Sequence, residues 1–236
     1  LGYSAIQGFY WMGYASIMGF ASVFLLNVGF DNSQVGLLIA AAGLLSALLQ
    51  PLAAAYADRP KSMALKWIIF LLTALCFGGS LVLMTAGGQK IVAGLCYGLC
   101  MVLLQLTTPL VNALGIATVN SGEKMNFGVA RGFGSLGYGV AAYLIGVLTD
   151  SKGAGAVPLC MGATLLVLLL VTLDYKKVKR IPETPKAAAP AQGGFLHRYP
   201  RYCLVLVGLV FLFISHVVLN SFTYQIVVYK GGDSAQ

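Results

Sequence analysis

"LKWIIFLLTALCFGGSLVLM", residues 65–84, carries a single charged residue, Lys66, and holds it at the edge. At ~1.5 Å of rise per residue, a helix of this length covers the ~30 Å hydrocarbon core of a bilayer. The run has no alternation of period two, so it does not read as a half-buried strand. It is apolar all round, which suits a helix enclosed on every side by protein or lipid. Stretches of the same kind recur on both sides of it. Helical spans are expected at about 4–27, 35–57, 65–86, 91–118, 128–149, 156–174 and 201–226. The 236-residue chain is 58% hydrophobic and 9% charged, whereas a soluble domain is about one quarter charged. The expected fold class is all-α, a polytopic membrane protein.

The formal net charge of +8 does not point to nucleic acid, because the basic residues sit in or beside the connections between spans. Arg59, Lys61, Lys66, Lys124, Arg131, Lys176, Lys177, Lys179, Arg180, Lys186, Arg198 and Arg201 flank one side. Only Lys90, Lys152 and Lys230 flank the other. Basic residues favour the cytoplasmic face, so the N-terminus and the stretch 175–200 are expected in the cytoplasm of a multi-pass cell-membrane protein. That stretch, within "YKKVKRIPETPKAAAPAQGGFLHRYPR", is basic and rich in Pro and Ala, which marks a linker. It divides the chain into a six-span bundle, 1–174, and a seventh span within 201–236. Six spans, a linker and one more span suggest a second bundle that begins where this chain ends.

A cytoplasmic N-terminus argues against the seven-helix receptors and retinal proteins. Intramembrane catalysis would need paired carboxylates, a His–Glu cluster or a Ser/His couple at membrane depth. The seven acids, Asp31, Asp58, Glu123, Asp150, Asp174, Glu183 and Asp233, all lie at span ends or in loops. No enzyme, cofactor or metal site is therefore expected. Cys76, Cys96, Cys100, Cys160 and Cys203 fall inside apolar segments and read as small buried hydrophobes.

Polar side chains within spans are costly and usually face a cavity or a partner. Gln7, Tyr10, Trp11 and Tyr14 share one face of the first span, and Gln105, Thr108 and Asn112 share one face of the fourth. The seventh span carries Ser215, His216, Asn220, Ser221, Thr223, Tyr224 and Gln225, while the third and sixth carry almost nothing polar. This period of three suggests nested 3+3 repeats, with spans one, four and seven around an aqueous cavity and spans three and six toward lipid. The opposing reading makes these groups interhelical packing bonds. In "GVARGFGSLGYGV", residues 128–140, Arg131 sits near a span end, where it either snorkels to the interface or serves a site. Gly128 with Gly132, and Ser135 with Gly139, form small-xxx-small pairs that let a neighbouring helix approach.

With these residues quoted, the chain resembles the major facilitator superfamily. "GLLIAAAGLLSALLQPLAAAYADRPK" is similar to that superfamily's second helix and following loop, with Asp58 and Arg59 at the signature acid and base. Ala54 replaces the leading glycine, and Pro60 and Lys61 replace the later positions. "PLVN…NFGVARGFGSLGYGVAAYLIGVL" resembles helices four and five of the lactose-permease-like proton symporters. In that branch a helix-five arginine and an aromatic seven residues later hold a sugar, which here are Arg131 and Tyr138. Asn112 falls, with one residue of difference in spacing, where the branch has a carboxylate. Gln105 falls on a polar position seven earlier.

The resemblance implies a six-helix bundle of 3+3 inverted repeats plus a seventh helix. It implies a secondary active transporter that moves a sugar-class or nucleoside-class solute with protons and works as a monomer. A drug or metabolite exporter of the same superfamily, or a non-transporting scaffold, are the alternatives. The expected substrate site is Arg131, Tyr138, Asn112, Gln105, Gln7, Tyr10, Tyr14 and Asn220, with Asp58 and Arg59 in a gating loop. Asn112 does not neutralise an arginine, which brings anionic and nucleoside-like ligands into range.

Overall fold

A computed structural model describes residues 2–59, 62–86, 88–176 and 199–231, apart from the side chains at 86, 220, 221, 224, 225 and 228. Every regular element among the described residues is a helix. α1 (Gly2–Tyr14) continues through a π-turn (Ala15–Gly19) into α2 (Ala21–Asn27). Then come α3 (Asn32–Asp58), α4 (Leu65–Ala86), α5 (Lys90–Asn120), α6 (Phe127–Lys152), α7 (Ala156–Asp174) and α8 (Pro200–Tyr229). Six of these helices are long and apolar enough to cross a membrane. The α1–α2 pair makes a seventh span if counted as one. The sequence bounds hold to within a few residues. The predicted linker lies mostly at 177–198, outside the described residues, as do Pro60 and Lys61.

The first span differs from expectation, because it is bent by 42° at the break before Ala21. A π-turn widens the backbone ring and leaves carbonyls without their usual partners. Tyr97 on α5 meets that need: its hydroxyl donates to the Ser16 and Ile17 carbonyls at 3.2 and 2.9 Å. The Phe24 ring stacks on Tyr97 with centroids 5.3 Å apart. Pro109 has a comparable effect inside α5. It has no N–H to offer the Gln105 carbonyl one turn earlier, and Gln50 Nε2 of α3 donates to that oxygen at 3.4 Å. Other helix starts are capped by side chains. Asp31 and Gln34 form a reciprocal capping box on α3, and Asn126 Oδ1 accepts from Val129 N at 3.1 Å on α6.

Five helix pairs make the bundle: α1 with α6, α5 with α3, α1 with α7, α5 with α4, and α4 with α7. Number the spans one to six from α1–α2 to α7, and exchange one with four, two with five and three with six. The set of pairs maps onto itself. Spans three apart run in opposite directions, so this exchange is an inverted repeat of three helices on three. α8 packs only lightly, against α2 and the π-turn.

Two expectations need correction. Span six does not simply face lipid: 56% of the most apolar stretch of α7 is buried, against 22% and 28% in α3 and α6. Val157, Met161, Leu165 and Leu168 are all fully buried. Dryness fits the interior of a bundle as well as its lipid surface, and hydropathy cannot separate the two. The small-residue pairs on α6 are also displaced from those read in the sequence. Gly132 and Gly139 have open space beside them. The close approach to α1 is made at Gly134 and Gly137, where a Cβ on Gly137 would lie 2.6 Å from the Gly8 carbonyl oxygen.

Candidate functional site

The polar face of α1 turns toward α5 and α6, which run antiparallel and parallel to it. Gln7 is fully buried and Tyr10 nearly so. Tyr3 donates from its hydroxyl to the Val111 carbonyl at 3.1 Å, while Gln7 Nε2 donates to Tyr3 Oη at 2.6 Å and to Asn112 Oδ1 at 3.4 Å. Trp11 Nε1 donates to Gln7 Oε1 at 3.0 Å. One turn further along, the Tyr10 hydroxyl bonds Thr108 Oγ1 and donates to the Leu104 carbonyl at 3.0 Å. The buried polar groups on this face of α1 therefore each have a partner, as burial requires. The geometry also shows why the face is tyrosine and amide rather than serine: these side chains reach across to a neighbouring backbone.

Arg131 enters this network from α6. It lies in the second turn of its helix, and the ordinary tilt of a helical Cα–Cβ bond would carry a snorkelling side chain back toward the N-terminal end. The side chain instead runs the other way. Its guanidinium carbon lies 4.2 Å from the centre of the Trp11 ring. A Cβ placed on Gly134, one turn deeper, would stand 3.1 Å from Arg131 Nη1 and would also collide with Trp11 Cδ1. Gly134 is thus the space into which the pair packs. The stacked guanidinium is a cation–π contact, worth ~0.5–2 kcal/mol depending on desolvation. Among the described residues Arg131 makes no salt bridge and no hydrogen bond. The ion pair of Lys176 with Glu123, at 4.0 Å, is solvent-exposed.

The predicted site residues do not all come together. Gln7, Asn112 and Arg131 gather around Trp11. Tyr14 joins the same cluster through Trp11 (centroids 4.9 Å apart), and Tyr10 meets both rings from its side. Tyr138 is half-buried, with its hydroxyl beside Gly19 at the break in the first span; a Cβ there would be 3.1 Å away. Gln105 is elsewhere: its amide oxygen accepts from Ser46 Oγ of α3 at 3.1 Å. Asn220 lies in α8, and its side chain falls outside the described residues. Asp58 ends α3, where Arg59 turns to extended backbone and its carbonyl accepts from Ser62 Oγ at 2.8 Å.

Trp11 is the residue missing from the expected site. Its i+4 spacing from Gln7 already placed it on the polar face. Tyr3 and Gly134 were missed as well. Tyr3 stands one turn before Gln7, and Gly134 could be told from the other glycines of α6 only by what faces it.

A bundle of inverted three-helix repeats, with a polar cluster and an inward-turned arginine between its first, fourth and fifth spans, defines a polytopic membrane protein of the transporter type. The family described as MFS_1 like matches residues 3–231, and the chain belongs to it, within the major facilitator superfamily. No match was found to a curated protein or to a solved structure.

Proposed function

We propose that this protein is a secondary active transporter of the lactose-permease-like kind. It carries a small sugar-class or nucleoside-class solute together with protons, by alternating access. Arg131, Asn112, Gln7 and Tyr138 hold the solute, Tyr10, Tyr14 and Trp11 form its aromatic wall, and Gln105 and Asn220 contribute from neighbouring helices. Asp58 and Arg59 act in the gating loop. The protein works as a monomer in the cell membrane, with its N-terminus and the 175–200 linker in the cytoplasm and the bundle of residues 1–174 as one unit.

The observation that carries this reading is the direction of Arg131. A membrane arginine with a route to the interface normally takes it. Turning the guanidinium inward, over a tryptophan and into a gap left by a glycine, serves no packing purpose that a leucine would not serve better. A transporter needs such a group, because polar donors in a dry cleft recognise a solute that must shed its water.

The test is uptake into proteoliposomes over a panel of sugars, nucleosides and their acids, with and without an inward proton gradient. The expected result is saturable uptake of one class, accelerated by the gradient and lost in Arg131→Gln. Uptake indifferent to Arg131 across the panel would remove the site. Uptake indifferent to the gradient would remove proton coupling.

A further inference from the structure

We infer that the solute bound at Arg131 is an anion, and that its acidic group, a carboxylate or phosphate, takes the outer edge of the guanidinium. The inference rests on the transporter reading above and narrows its substrate class.

Arginine offers five N–H donors and no acceptor, and it stays charged at any pH of interest. The polar groups of the cluster bond one another. Gln7 Oε1 takes the Trp11 indole N–H, Asn112 Oδ1 takes the Gln7 amide, and Tyr3 Oη takes the same amide. The Val111 and Leu104 carbonyls take the Tyr3 and Tyr10 hydroxyls. Among the described residues none of these groups bonds the guanidinium, which lies over the face of Trp11.

Among the described residues no carboxylate forms a salt bridge with it. Asp31 caps the start of α3, Asp58 and Asp174 end α3 and α7, Asp150 lies in the last turn of α6, and Glu123 is exposed beside Lys176. A partly buried cation is stabilised by a counter-charge. A planar fork of parallel donors matches a carboxylate or phosphate, which can accept two bonds at once. Neutral hydroxyls would satisfy the donors without the charge. The rest of the solute would extend from Arg131 toward Tyr14 and Tyr138, the aromatic side of the cluster. Loading then has an electrical consequence: the empty site carries +1, and the site filled by a monoanion carries none.

Trp11 serves as its own reporter. The chain has two tryptophans, so Trp67→Phe leaves Trp11 as the only indole. The full chain in phosphatidylcholine vesicles is titrated with matched pairs that differ in charge: glucuronate against glucuronamide, and uridine monophosphate against uridine. Expected is a saturable change of Trp11 emission in which at least one acid binds roughly tenfold or more tighter than its neutral partner. That factor is the size of a hydrogen bond to a charged group. Arg131→Gln abolishes the difference, and Arg131→Lys retains only part of it. Equal affinity within both pairs, silence of both acids, or discrimination that survives Arg131→Gln would each overturn the inference.

A lipid phosphate offers the same chemistry as a soluble one, so the titration is repeated with phosphatidylglycerol in the vesicles. Unchanged acid affinity supports a soluble solute, and competition by the anionic lipid overturns it in favour of a headgroup. Uptake measured in parallel keeps the two readings apart. Arg131-dependent uptake of the neutral members without preference for acids leaves the transporter standing and ends the anion. Discriminating binding without uptake leaves the anion site standing and ends the transporter.

Discussion

Replacing Gly137 by alanine should loosen the bundle. The added carbon would lie 2.6 Å from the Gly8 carbonyl oxygen and 3.2 Å from that residue's Cα and carbonyl carbon. Ordinary contact begins near 3.4 Å, so α1 and α6 must part by about 0.8 Å at this point, a gap that forfeits a quarter to a half of each affected van der Waals well. The obstacle is backbone, and no rotamer change relieves it. Overpacking of this kind costs about 1–3 kcal/mol, and the helical preference of alanine over glycine returns up to about 1 kcal/mol. A net loss of roughly 1–2 kcal/mol is therefore expected. Gly132→Ala and Gly139→Ala are the controls, since open space faces both positions. They should be neutral or slightly stabilising. The assay is the thermal midpoint of purified protein in one detergent, with the folded fraction in an SDS titration as a second reading. A Gly137→Ala protein as stable as Gly132→Ala would refute the close approach of α1 and α6.

Gly134→Ala should behave differently, because the atoms in its way belong to Trp11 and Arg131 side chains that can move: a smaller loss of stability is expected, with a clear change in Trp11 emission, and an unchanged spectrum would count against the stacked pair. Lys66 fastens the end of α7, donating from Nζ to the Leu173 and Tyr175 carbonyls at 3.1 and 2.6 Å. Lys66→Met should cost about 1–3 kcal/mol in the same thermal assay, and no loss would mean the contacts are not held in solution. For topology, impermeant thiol reagents applied to intact cells should label cysteines introduced at Asn32 and Lys152 but not at Pro190; labelling at Pro190 would reverse the assigned orientation. At the site, Arg131→Lys keeps the charge and loses the planar fork, so solute affinity should fall strongly. Tyr138→Phe should be mild and Tyr138→Ala severe, all at matched folded protein; lysine serving as well as arginine would reduce Arg131 to an anchor.

The number, length and helical character of the spans were legible because a bilayer-length apolar run has few other readings. The faces were legible as well, since a spacing of three and four residues fixes which side chains share a side. Gln7, Trp11 and Arg131 illustrate the limit. Sequence places Gln7 and Trp11 on one stripe and Arg131 five residues into another helix, but the angle between those helices decides whether they meet. The glycines of α6 show the same limit more sharply. They look interchangeable along the chain, yet Gly134 and Gly137 carry the contact with α1 while Gly132 and Gly139 face away, a rotation of less than one turn. The π-turn at Ala15–Gly19 left no local signal beyond Gly19 itself. Its cause lies on α5, where the Tyr97 hydroxyl compensates two carbonyls that an α-helix would have used.

The inverted repeat gives a reason for the place of Gln105, which the sequence grouped with Arg131. Under the exchange that relates the two halves, the α1–α6 contact corresponds to the α5–α3 contact. Each of these interfaces holds a polar set. On one side Gln7 and Trp11 of α1 meet Arg131 of α6. On the other, Gln105 of α5 meets Ser46 and Gln50 of α3. The second set is neutral, and it repairs the carbonyl that Pro109 leaves open. The first set contains a permanent charge and five donors, and among the described residues none of those donors makes a hydrogen bond. Duplicated helices inherit the same packing problem and can solve it in the same way. We read the departure from that shared solution, costly in a membrane and confined to one of the two halves, as the mark of the proposed binding site rather than of helix packing.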